Sequence, residues 1–221
     1  MKSIIIVIAA CMLTLPMFCV ESHAQIKSAS IRIGGDILAF SSERKTLTNY
    51  WQRVNFNHGS RGLDNRISIG VETVLKQFDT VPTLPEIGLG IEYQFPRENC
   101  FSLKTFSFLP VYGLARFKIL SFKNIYVTKL VIKTGYNWFE NEEYTVNYNS
   151  HPYYTANYSG GIYYGIGIDH IFHDKILIGI HASEHNAKNE ITPNSDSPLL
   201  SPHTEHIKYR KVTFVIGYVF Q

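Results

Sequence analysis

Cysteine is scarce in this chain: three in 221 residues, with Cys11 and Cys19 inside the first twenty positions. Once such a leader is removed, Cys100 is the lone thiol and no internal disulfide can form. No base signature surrounds it, so nothing marks it as reactive. Charge is also thin, at 18% of residues with a net of +3. That excludes a basic nucleic-acid binder, while 45% hydrophobic residues exclude a disordered chain. Apart from one run at the extreme N-terminus, no apolar stretch is long enough to cross a membrane as a helix. What the chain does have is 14 Tyr, 14 Phe and 15 Gly, a composition of strands and turns rather than of a helical bundle.

The N-terminal run has the layout of an export signal. Met1-Lys2 supplies a positive start, Ile4 to Val20 is mostly apolar with Pro16 interrupting it, and Ser22-His23-Ala24 places small residues at −3 and −1. This predicts a signal peptide over 1–24, cleaved before Gln25, and a single mature domain over 25–221.

Along the mature part the dominant period is two. In Glu86 to Phe95, one face carries Ile87, Leu89, Ile91, Tyr93 and Phe95; the other carries Glu86, Gly88, Gly90, Glu92 and Gln94. The final stretch sets Val212, Phe214, Ile216, Tyr218 and Phe220 opposite Lys211, Thr213, Val215, Gly217 and Val219. Between them, Tyr126, Thr128, Leu130, Ile132, Thr134, Tyr136 and Trp138 alternate with Val127, Lys129, Val131, Lys133, Gly135 and Asn137. Similar alternation over 29–40, 65–76, 106–119, 158–172 and 174–186 brings the expected total to eight strands. Long polar connections (41–64, 96–105, 139–157, 187–205) alternate with short ones (77–85, 120–124, 172–174). That is the rhythm of an all-β, eight-stranded antiparallel up-and-down barrel with both termini at the short-turn end.

Such a barrel can hold its apolar face inside, as a soluble lipocalin-like binding barrel does, or outside, against lipid. Three features favour lipid and a transmembrane barrel. The polar face is rich in glycine, which a narrow lumen needs and a solvated surface does not. Aromatic residues, Tyr126 and Trp138 on one strand and Tyr218 and Phe220 on another, cap the apolar stripes as interface anchors. Most stripes carry no charge.

The signal layout, the eight alternating strands and the closing run from Val212 to Phe220 resemble small outer-membrane β-barrel proteins of the OmpX and OmpA-barrel type. The resemblance implies residence in the outer membrane of a Gram-negative bacterium and contact with outer-membrane lipids and lipopolysaccharide. It also implies recognition of the C-terminal strand by the barrel-assembly machinery; here Phe220 is followed by Gln221. A monomer with a structural or surface-interaction role is expected, with no cofactor, no nucleic acid and no open pore.

Two kinds of site are legible. Alternation sends Arg66, Arg116, Lys118, Lys129, Lys133 and Lys211 into the lumen with Glu72, Glu92 and Asp169, and charges so confined must pair. Separately, the run from His181 to Ala187 is similar to the outer-membrane lipid A 3-O-deacylase family, in which His-x-Ser precedes Asn-Ala. The resemblance implies an esterase-type alternative with His181 as base, Ser183 as nucleophile, Asn186 near the oxyanion and Glu190 or Asp196 as the orienting acid. No metal site is expected. On a strand, His181 and His185 stand about 13 Å apart, and His203 and His206 face opposite sides. The first long connection mixes Arg44, Lys45, Arg53, Arg61 and Arg66 with Tyr50, Trp51 and Phe56, a composition suited to phosphate groups or a host surface.

Overall fold

The computed structural model describes residues 26–44, 51–54, 67–76, 85–98, 105–122, 125–140, 144–148, 151–193 and 202–220. The leader, Cys100, Arg66 and Asp196 lie outside these residues, as do Lys45, Tyr50, Phe56 and Arg61.

Ten strands follow one another: β1 (Ser28–Arg44), β2 (Trp51–Val54), β3 (Ile67–Lys76), β4 (Glu86–Glu98), β5 (Thr105–Phe122), β6 (Tyr126–Glu140), β7 (Tyr144–Tyr148), β8 (His151–Phe172), β9 (Ile176–Pro193) and β10 (His203–Phe220). Eight of them form an antiparallel ring in the order β1-β3-β4-β5-β6-β8-β9-β10. β10 pairs back onto β1, for instance Ile216 with Ile33, which closes the ring of eight. The remaining two strands are side pieces: β2 pairs with Ser41–Arg44 of β1, and β7 with the first residues of β8.

The ladders run further than the alternation suggested. Residues 41–44, 151–157, 187–193 and 203–205 are in strands, although their polar composition reads as loop. Pairing satisfies backbone N–H and C=O groups whatever the side chains do, so a ladder can continue into water once the apolar stripe has stopped. The turn between β8 and β9 is tight: Lys175 N–H donates to the Phe172 carbonyl at 3.0 Å. Its middle residues His173 and Asp174 sit at φ of 47° and 58°. His and Asp tolerate this left-handed geometry better than most residues, and it matches the twist of the flanking strands.

The wall is turned inside out. Ile33, Ile87, Leu89, Ile132, Ile166, Ile168, Ile180, Phe214 and Ile216 are all exposed on the outer surface. Inside, the buried set includes Arg32, Glu72, Arg116, Lys133, Asp169 and Lys211. Aromatic residues ring the belt at both levels. At the short-turn end Tyr126 packs between Phe122 and Phe172 at 6.1 Å from each, and Tyr218 meets Phe220 edge-to-face at 4.9 Å. At the other end Tyr136 meets Trp138 at 5.0 Å and Tyr93 meets Phe95 at 5.3 Å. From Tyr126 to Trp138 the strand covers about 40 Å at ~3.3 Å per residue, or roughly 28 Å of height at a tilt of ~45°; the apolar band of a membrane barrel is about 25 Å tall. An outer face of aliphatic residues between two aromatic rims, around a charged interior, is the polarity of a transmembrane barrel and the reverse of a lipocalin.

Candidate functional site: the charged lumen

The interior is organised around Glu72 of β3. Arg32 of β1, Arg116 of β5 and Lys133 of β6 reach its carboxylate at 2.9, 2.5 and 2.7 Å, and the Tyr112 hydroxyl donates to it at 2.9 Å. Four donors saturate the lone pairs of one carboxylate. Arg32 also contacts Asp169 of β8 at 2.8 Å, and His181 of β9 lies 2.7 Å from the other oxygen of that carboxylate. An ionised carboxylate only accepts, so His181 carries its proton on Nε2 in this contact. Six strands, β1, β3, β5, β6, β8 and β9, are thereby linked.

A second cluster lies nearer the long connections. Lys211 of β10 contacts Glu92 of β4 at 2.9 Å and Asp36 of β1 at 3.5 Å, while the Thr213 hydroxyl donates to Asp36 at 2.8 Å. Nearer the short-turn end Lys129 binds Glu86 at 2.6 Å, and Ile171, Leu177, Val215 and Val219 form a buried apolar cluster. Among the described residues, the two clusters at mid-height pair Arg32, Arg116, Lys133 and Lys211 with Asp36, Glu72, Glu92 and Asp169. Four cations face four carboxylates, a neutral set in which each charge removed from water has an opposite partner.

Glycine makes the room. A β-carbon at Gly90 would come within 2.6 Å of the Tyr112 ring and 2.9 Å of the Glu72 stem, and one at Gly167 would lie 2.6 Å from the His181 ring. A void lined by Arg32, Gly34, Ser68, Gly70, Glu92, Tyr112, Lys133 and Val215 has space for about one water molecule.

Three members of these clusters, Arg32, Asp36 and Glu86, are absent from the set read from sequence. The signal for the first two was present, since Ile31 and Ile33 alternate with Arg32 and Gly34. Lys118 is exposed at the short-turn end of β5, where a bulge between Lys118 and Leu120 breaks the ladder.

The His181–Ser183 pair is arranged differently from what the deacylase resemblance implies. His181 turns to Asp169, while the Ser183 hydroxyl lies 3.2 Å from His185 Nε2. His185 Nδ1 is 3.3 Å from Asn137 Oδ1, and Gln94 Nε2 is 3.0 Å from His185 Nε2. The amide oxygen of Asn137 accepts from Nδ1–H, which leaves the one lone pair of Nε2 to accept from the Gln94 amide and the Ser183 hydroxyl in competition. His185 is fully buried, stacked on Phe108 at 5.1 Å and against Tyr163 at 4.8 Å. Asn186 and Glu190 are on the opposite side of β9. Asn186 donates to the Ile162 carbonyl at 2.8 Å, at the bulge between Gly160 and Tyr163, and Glu190 is exposed on the outer wall. Neither reaches Ser183, because alternation puts even positions outside. Among the described residues, no group of three or more His, Cys, Asp or Glu side chains is placed to hold a metal ion.

No protein-family model and no curated protein matches the chain. Solved structures similar to it include the outer membrane protein OprG from Pseudomonas aeruginosa, at 13% identity over 91% of this chain and 100% of that one, with a TM-score of 0.48. Another is Ail, the attachment invasion locus protein of Yersinia pestis, in complex with the heparin analogue sucrose octasulfate: 14% identity, 87% and 98% coverage, TM-score 0.41. The outer membrane enzyme PagL is similar at 8% identity, 86% and 97% coverage, TM-score 0.39.

Proposed function

We propose that this chain is an exported, monomeric, integral outer-membrane barrel with a structural or surface-interaction role and no open pore. The observation that carries the reading is the inverted polarity of the closed wall. Isoleucine, leucine and phenylalanine face outward at mid-height, where a Lys or Arg facing lipid would cost roughly 2–4 kcal/mol. Paired charges and rings occupy the mid-height of the lumen. Outer-membrane lipids and lipopolysaccharide are the surroundings such a wall fits. Its C-terminal strand, ending in the exposed pair Tyr218 and Phe220, is the segment offered to the assembly machinery. Fractionation with heat-modifiable gel mobility tests this. The protein should sit in the outer-membrane fraction and migrate faster unboiled than boiled. Unchanged mobility together with recovery from the soluble periplasm would overturn the proposal.

A second reading, an acyl-ester hydrolase, is favoured by the Ser183–His185–Asn137 chain of contacts, which has the order of nucleophile, base and orienting group. In that reading His185, not His181, is the base. His185 is fully buried among the rings of Phe108, Tyr163 and Tyr209, so the non-enzymatic reading stands first. Mass spectra of lipid A decide between them. Loss of a 3-linked acyl chain with the wild-type protein, absent with Ser183→Ala, would install the hydrolase.

A further inference from the structure

The outer wall of β9 and β10 changes chemistry within one step. Ile166, Ala182 and Val212 are cross-strand neighbours facing outward, and the next outward row toward the long connections is Tyr164, Glu184 and Arg210. Asn186 and Lys208 follow, then Ser159, Lys188 and His206. The side chain of Arg210 is 60% exposed and that of Lys208 35%. Both attend Glu184: Arg210 Nε donates to one oxygen at 2.6 Å, and Lys208 Nζ lies 4.0 Å from the other. Lys188 and His206 are exposed; Glu190 sits one row further out.

Height gives this patch its meaning. Arg210 is ten residues from Phe220 at the opposite rim, which is about 33 Å along the strand and roughly 23 Å of height at a tilt of ~45°. That is the edge of an apolar band about 25 Å tall, the level at which acyl chains give way to headgroups. Arg210 stands there, paired with Glu184, and Lys208 and Lys188 follow one and two rows further out. A guanidinium offers five donors and a phosphate takes them in pairs. Directly below, Ala182 is the smallest side chain of its row, with Ile166 and Val212 on either side and the exposed Ile180 beneath it, so an apolar wall adjoins the charged patch.

We propose that this patch binds the phosphate of a membrane lipid in the leaflet at the long-connection end. Arg210 and Lys208 hold the headgroup, and the apolar wall of Ile166, Ile180 and Val212 below them lies against its acyl chains. The inference rests on the membrane reading above and adds a partner and a place to it. Glu184 competes with the phosphate for the same two cations, so its removal strengthens binding.

The test uses the full mature chain in phosphatidylcholine nanodiscs, with phosphatidic acid or bisphosphorylated lipid A added and retained lipid read by native mass spectrometry. The wild-type protein should retain both in preference to phosphatidylcholine. The double variant Arg210→Gln/Lys208→Gln should lower retention by about tenfold. Glu184→Gln should raise it, and Lys175→Gln at the opposite rim should leave it unchanged. Equal retention by the wild type and the double variant would overturn the inference. So would displacement of the lipid by inorganic phosphate at equal concentration, which would mark a free-anion site. Protein that folds with heat-shifted mobility but shows no preference overturns this inference alone. Protein that is folded and soluble without lipid overturns the membrane reading and this inference with it.

Discussion

Arg32 and Asp169 are 137 residues apart in sequence and 2.8 Å apart across the lumen, joining β1 to β8, two strands that share no ladder. Because Arg32 also binds Glu72 at 2.9 Å, one guanidinium ties the Glu72 cluster on one wall to Asp169 and His181 on the other. At the mid-height of the lumen this link does the work that apolar packing does in a soluble domain.

Removing one partner should therefore be worse than removing both. Arg32→Met leaves Asp169 and Glu72 short of a cation in a site both occupy at under a tenth exposed, and breaking a buried pair costs about 3–5 kcal/mol. The temperature at which the fast-migrating folded form is lost should fall. The double variant Arg32→Met/Asp169→Asn should recover part of that fall. A double variant no more stable than Arg32→Met alone would contradict the pairing.

Depth should govern the cost of a charge on the outer wall. Ile132 is midway between Tyr126 and Trp138 and 43% exposed, so Ile132→Arg should cost roughly 2–4 kcal/mol and Tyr126→Arg at the rim about 0–1. Folding yield into vesicles measures both. Equal yields would refute the assigned depths.

The lumen should not conduct. Tyr112, Tyr163 and Lys133 fill the mid-height, with ring centroids 5.2 Å apart and the Lys133 ammonium 4.9 Å from the Tyr112 ring. A planar bilayer holding the purified protein should show no stable single-channel steps. Reproducible ohmic steps would reassign the protein as a small pore.

Much of this architecture was readable from residue order alone, because the pleat forces a period of two. Ile87 and Leu89 lie outside and Gly88 and Gly90 inside β4, and Phe214 and Ile216 lie outside and Lys211 and Thr213 inside β10. A local rule of this kind needs no knowledge of neighbouring strands. The rule stops where a bulge intervenes. Between Asp36 and Leu38 the register slips, so Ile37 and Leu38 are exposed together, and no count of alternating residues reveals the slip. Nor does alternation say who meets whom across the lumen. That His181 turns to Asp169, and that Ser183 turns to His185 instead of His181, depends on barrel closure and register, which bring β4, β6, β8 and β9 around one point. Strand faces follow from backbone geometry within each segment; lumen partners follow from closure of the ring, a long-range property that only the tertiary structure decides.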